Sequence, residues 1–137
     1  MSFMRFKFKI ILHKNILFIF FVFLVSSFIS QTPIDVGPQT ATFTSMVRGY
    51  HFTSPVTFNI CGLYVPDDAS SAPQSVRVVR FNTANPPAYP GTTNNFTQIF
   101  SQSNIAGNAM ITCNIQVNAG DIIGVYGSRG ANCVNSY

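Results

Sequence analysis

From Met110 to Asn118 apolar and polar residues alternate. Ile111, Cys113, Ile115 and Val117 take one parity, and Thr112, Asn114, Gln116 and Asn118 the other. A period of two predicts a strand with one buried and one wet face. Ala119-Gly120-Asp121 then carries turn chemistry, with Gly120 free to adopt positive φ. Ile122–Tyr126 follows as a β-branched and aromatic run, so Met110–Gly127 reads as a β-hairpin. The same logic predicts strands upstream. Thr40–Thr44 and Arg48–Thr53 come first. In Val56–Ile60, Val56, Phe58 and Ile60 share one face. Leu63 and Val65 then have the opposite parity, which places a bulge or kink at Gly62. Ser75–Phe81 puts Val76 and Val78 on one face, and Arg77, Val79 and Phe81 on the other. Asn95–Phe100 is a further strand, Ser101–Asn108 a connector, and Gly127–Gly130 a tight turn before a short last segment. The expected shared core is Val56, Phe58, Ile60, Val76, Val78, Ile111, Ile115 and Val117.

Six or seven short strands with frequent turn signals predict an all-β chain. The architecture expected is an antiparallel β-sandwich of jelly-roll type. No segment after residue 30 has helical period. The chain ends at Tyr137 straight after a turn, which suits a domain truncated at its C-terminus.

Residues 1–30 are a different kind of polymer. Arg5, Lys7, Lys9 and Lys14 precede an apolar run over Ile16–Val25, with Ser26, Ser27 and Ser30 behind it. This is the layout of a helical signal peptide, cleaved after Ser27 or Ser30, with an uncleaved membrane anchor as the alternative. Residues 31–39 read as an extended lead-in, and 40–137 as a single sandwich domain.

The leader also explains the charge. The whole chain carries a formal +4. From Gln31 on, the cations are Arg48, Arg77, Arg80 and Arg129, and the anions Asp35, Asp67, Asp68 and Asp121. They cancel, so no basic patch argues for nucleic acid. There is no Glu in the chain and no Lys after the leader, so the surface is built from Asn, Thr, Ser and Gln. Near-zero charge does not favour colloidal solubility, which suits a domain tethered or held in an assembly.

Four segments carry a resemblance: Arg48–Pro55, Ile60–Pro66, Asn85–Pro90 and Ala119–Gly124. They resemble uncharacterised β-sandwich modules of secreted bacterial cell-surface proteins, particularly of Bacteroidota. The resemblance implies a secreted or cell-surface location and a sandwich fold, and no activity. A sorting domain of the kind that often accompanies such modules is not found within residues 1–137, a departure of this chain from the modules it resembles. Ala119–Ile123 also resembles the Gly-Asp hairpin of jelly rolls of the C1q and TNF type.

No spacing marks a catalytic centre. Asp67-Asp68 are neighbours that point apart on an extended chain, and read as solvated loop anions. A glycosidase would need two Asp brought together from afar. No spaced acidic loop supports calcium, no Cys-x-x-Cys pair supports zinc, and Gly127-Ser-Arg-Gly130 lacks the nucleophile-elbow pattern. The expectation is a protein without catalysis, metal or cofactor. Cys61, Cys113 and Cys133 are odd in number, so one thiol stays free or pairs between chains. Cys113–Cys133 closes the shortest loop and is the first pairing expected. Residues 82–95 form a Pro- and Asn-rich loop, the place to look for binding. Tyr89 between prolines, with Asn94 and Asn95, suits a surface glycan, and the alternative is Tyr89 packing the loop onto the sandwich. Asn95-Phe-Thr97 also matches the N-glycosylation pattern. The reading is thus a secreted or cell-surface structural or adhesive module. Its expected partners are neighbouring domains, chains or a glycan, with the membrane reached only through an uncleaved leader. Carbohydrate binding through the 82–95 loop is the alternative function.

Overall fold

The computed structural model describes residues 31–34, 41–88 and 90–136. The leader, Asp35 with most of the lead-in, and Tyr89 lie outside the described residues. Gln31–Ile34 has no regular structure.

The described chain is all-β and wholly antiparallel. Its strands are β1 (Thr42–Phe43), β2 (Arg48–Thr53), β3 (Phe58–Leu63), β4 (Gln74–Phe81), β5 (Phe96–Ile105), β6 (Ile111–Val117), β7 (Ile122–Arg129) and β8 (Asn135–Ser136). A four-stranded sheet runs β2-β7-β4-β5, a two-stranded ladder pairs β3 with β6, and β1 pairs with β8.

Alternation builds the core. Ile115 and Val117 of β6 meet Val78 of β4 and Ile123 of β7, with Phe52, Phe58, Ile60, Ile99 and Phe100 packed around them. A second cluster joins Val65, Val76 and Ile111, and Leu63 and Phe100 touch both. Both clusters take side chains from both sheets, so the β3–β6 ladder packs face to face on the larger sheet. Thr112, Asn114, Gln116 and Asn118 are exposed, as the alternation predicts.

Three expectations are corrected. Met110–Gly127 is not a hairpin: β6 pairs with β3, whereas β7 pairs with β2 and β4. The connection is a turn as expected, with Gly120 at φ +88° and the Asp121 amide donating to the Asn118 carbonyl at 3.0 Å. It crosses between layers because Val117 and Ile123 are both fully buried and face one core from opposite sides. Gly127-Ser-Arg is the end of β7, and the turn proper is Gly130–Cys133. Val56 is 59% exposed, because β3 begins only at Phe58.

The irregularity expected near Gly62 is present between Ile60 and Gly62. Two more register shifts fall in the β4–β5 pairing. Ile99 is the extra residue between Gln98 and Phe100, and another step lies between Gln102 and Ile105, where Asn104 takes φ +59°. β5 is an edge strand, and bulges of this kind disfavour edge-to-edge pairing.

Candidate functional site

A groove of about 370 Å³ opens where β5 and β6 face each other. The bulge at Ile99 turns both Ile99 and Phe100 toward the core, so β5 gives the groove an apolar wall. β6 gives the other wall through Ile115, Asn114 and Gln116, continued by Asn118. Arg80 of β4 closes one end. Its Nη2 donates to the Gln116 carbonyl at 2.9 Å, and its Nε lies 3.1 Å from Asp121 Oδ2. The cation and the anion are committed to each other. What remains for a ligand or partner is neutral: amide donors and acceptors beside aliphatic and aromatic surface. A smaller groove of about 260 Å³ lies over β4, β5 and β7, lined by Ser75, Ser101, Ser103, Ser128, Arg77 and Tyr126 among others.

The 82–95 loop is held by its own side chains. The Asn82 amide N–H donates to the Asn95 carbonyl at 3.1 Å, and Asn82 Nδ2 donates to Asn95 Oδ1 at 3.1 Å. Asn95 Nδ2 donates to Thr83 Oγ1 at 2.6 Å, and Thr97 Oγ1 donates to Asn82 Oδ1 at 3.1 Å. Both ends of the Asn95 amide therefore close the loop base. A ligand or an attached glycan at Asn95 would have to compete with those bonds. The Asn94 carbonyl accepts from the Phe96 amide, and the residue is exposed. The structure thus places Asn94 and Asn95 at the loop's return into β5, and Tyr89 lies outside the described residues.

Cys61, Cys113 and Cys133 are free thiols, so the expected Cys113–Cys133 bridge is not formed in this structure. Cys113 sits on β6 with its Sγ 3.2 Å from the Ile60 carbonyl of β3. Cys133 lies in the turn beyond β7, a strand of the other sheet, at φ +48°. Burial pushes the Cys113 thiol up, and nearby Cys61 adds to the shift.

The polar centre that sequence reasoning missed is Arg129 with Gln74, both fully buried. Arg129 Nε donates to the Val65 and Pro66 carbonyls at 3.0 Å, Nη1 to Ala72 at 2.9 Å and Nη2 to Val65 at 2.5 Å. Gln74 Nε2 donates to the Ala109 carbonyl at 2.7 Å, and its Oε1 accepts from the Val65 amide at 3.1 Å. The two side chains anchor the 64–73 and 106–110 loops, and they give the backbone N–H and C=O of buried Val65 their partners. Outside them, Tyr64 Oη donates to Asp67 Oδ1 at 2.7 Å, and Asn108 Nδ2 donates to Asp67 Oδ2. The Tyr64 bond holds the Asp67 carboxyl below its ordinary value against the opposing effect of burial, with lesser help from a backbone bond and the Arg129 charge. Asp67 is therefore a structural anchor, whereas Asp68 is exposed as expected of a loop anion. A parity signal was available for both hub residues. Gln74 is in step with Val76 and Val78, and Arg129 with Ile123 and Val125.

Among the described residues no three His, Cys, Asp or Glu side chains gather in a way that could hold a metal ion. No helix of the described residues is long and apolar enough to cross a membrane. No family model, no curated protein and no solved structure matches the chain.

Proposed function

We propose that this chain is a secreted or cell-surface structural or adhesive module that works by contact and not by catalysis. The observation that carries the reading is the open side between β5 and β6. Among the described residues β3 and β6 pair only with each other, while the sheet beneath them has four strands. One flank of the sandwich therefore offers a neutral groove instead of a closed wall, and its charged residues neutralise one another. A strand edge beside an apolar and amide-lined groove suits a neighbouring chain or domain in extended form. The leader supports the location, and so does the resemblance of Arg48–Pro55 and Ile60–Pro66 to modules of surface proteins. Two of the arginines serve the interior and the groove wall: Arg129 holds loop carbonyls and Arg80 holds Asp121.

Fractionation of the native cells tests this. The mature chain is expected outside the cytoplasmic membrane, with its new N-terminus at Phe28 or Gln31, and digestible by protease added to intact cells. Recovery only in the cytoplasm with Met1–Ser30 still attached would overturn the reading.

A further inference from the structure

The parity of the β3–β6 ladder places two of the three cysteines on one face. On β6 the inward parity is constant: Ile111, Ile115 and Val117 are buried, and Cys113 packs against the core in step with them. On β3 it switches. Phe58 and Ile60 pack inward before the irregularity, and Leu63 does so after it. Gly62 faces the other way and is covered by Met110, whose Cγ would lie 2.7 Å from a Cβ built there. Alternation back from Leu63 and Gly62 puts Cys61 on the side of Leu63, at the rim of the core, with its Sγ 3.7 Å from the Asn59 carbonyl of its own strand. In register, Ile60 opposes Ile115 and Gly62 opposes Thr112, so Cys61 falls opposite the Cys113–Asn114 step. Of those two residues only Cys113 has inward parity. Its Sγ is already 3.2 Å from the carbonyl of Ile60, the residue bonded to Cys61.

We propose that Cys61 and Cys113 are a redox-convertible cross-strand pair, two free thiols that close to a disulfide by exchange with a small-molecule disulfide. Neighbours on one face of an antiparallel pair have Cβ atoms about 4.5–5.5 Å apart, close to the reach of a disulfide after a small adjustment. Irregular pairing at the bulge leaves room for that adjustment. Burial disfavours the Cys113 thiolate, and Cys61 is the first nucleophile. Its thiolate attacks one sulfur of the small disulfide, that S–S bond breaks, and the thiolate released takes up the proton Cys61 has lost. Cys113 then gives up its proton and attacks the Cys61 sulfur of the mixed disulfide, and the second small thiol leaves with that proton. Two protein thiols are oxidised, one small disulfide is reduced to two thiols, and no other oxidant is needed. Cys133, in the turn beyond β7, takes no part. The pair stands on the register of the ladder and does not depend on the proposed location.

The arginine positions make the test direct. After the leader, trypsin can cut only behind Arg48, Arg77, Arg80 and Arg129, which puts Cys61, Cys113 and Cys133 on three separate peptides. The full chain is incubated with oxidised glutathione at pH 8, its remaining thiols are blocked by alkylation, and the digest is mapped by mass spectrometry. The expected product joins residues 49–77 to 81–129, with 130–137 recovered alkylated. Cys61→Ser and Cys113→Ser each abolish the joined peptide, and Cys133→Ser retains it. A joined peptide containing residues 130–137, or none at all from the wild-type chain, would overturn the proposal. The wild-type map decides the matter even if a serine variant fails to fold.

Discussion

Arg129 and Gln74 show how far single residues could be read. Alternation gave their direction, since Gln74 extends Val76 and Val78 inward and Arg129 extends Ile123 and Val125. Polar type concealed it, because a buried guanidinium is expected only where acceptors surround it. Those acceptors are loop carbonyls of Val65, Pro66 and Ala72, far away in sequence. Gln74→Ala leaves the Val65 amide and the Ala109 carbonyl without their partner. The buried Val65 amide left unsatisfied costs about 1–3 kcal/mol, so a loss of that order is expected from urea unfolding, the Ala109 carbonyl lying in an exposed loop. The exposed Gln102→Ala on β5 is expected to stay within about 0.5 kcal/mol. Tyr64 and Asp67 add a pH dependence. The folded carboxyl lies below its ordinary value of 3.8, so its contribution is complete above that value and is lost as pH falls through the lower folded one. The stability gap between wild type and Tyr64→Phe should be constant near neutral pH and shrink in acid below 3.8. A gap unchanged by acid would show that the bond does not couple to protonation of Asp67.

At the scale of elements, period two located most strands well and their partners poorly. Arg48–Thr53 was legible to the residue, and β4 to within one. The slip from Ile60 to Leu63 announced its bulge through parity alone. β5 runs on to Ile105, well past Phe100, because Gln102 and Ser103 continue an edge strand whose outer groups face water, where composition says little. Val79 and Phe81 were placed opposite Val76 and Val78, yet all four are buried. The register shift between Val78 and Val79 accompanies that change, and Phe81 meets Phe96 edge-on at 6.2 Å. The misread hairpin has the same root. The Asn118–Asp121 turn is closed by local hydrogen bonds, but local bonds do not say whether the next strand pairs or crosses over. That choice was made by which neighbours bury Val117 and Ile123. Of the binding candidates, the loop ends at Asn94 and Asn95 were visible in composition. The β5–β6 groove was not, because it exists only once two strands distant in pairing face each other.

For the whole molecule, the class of fold was legible, since no stretch after the leader offered helical period. The layering was not. β6 is one wall of a core shared with the four-stranded sheet, which leaves its outer face wet and its edge open to the groove. Adjacent residues of β6 measure this: Ile115 is 7% exposed and packs with Val78 and Ile123, while Asn114 is exposed. Urea midpoints of Ile115→Ala and Asn114→Ala are the decisive comparison. A loss of about 2–5 kcal/mol is expected for Ile115→Ala, and a change within about 0.5 kcal/mol for Asn114→Ala. Equal losses would contradict it, because both faces of β6 would then be covered and no open flank would remain.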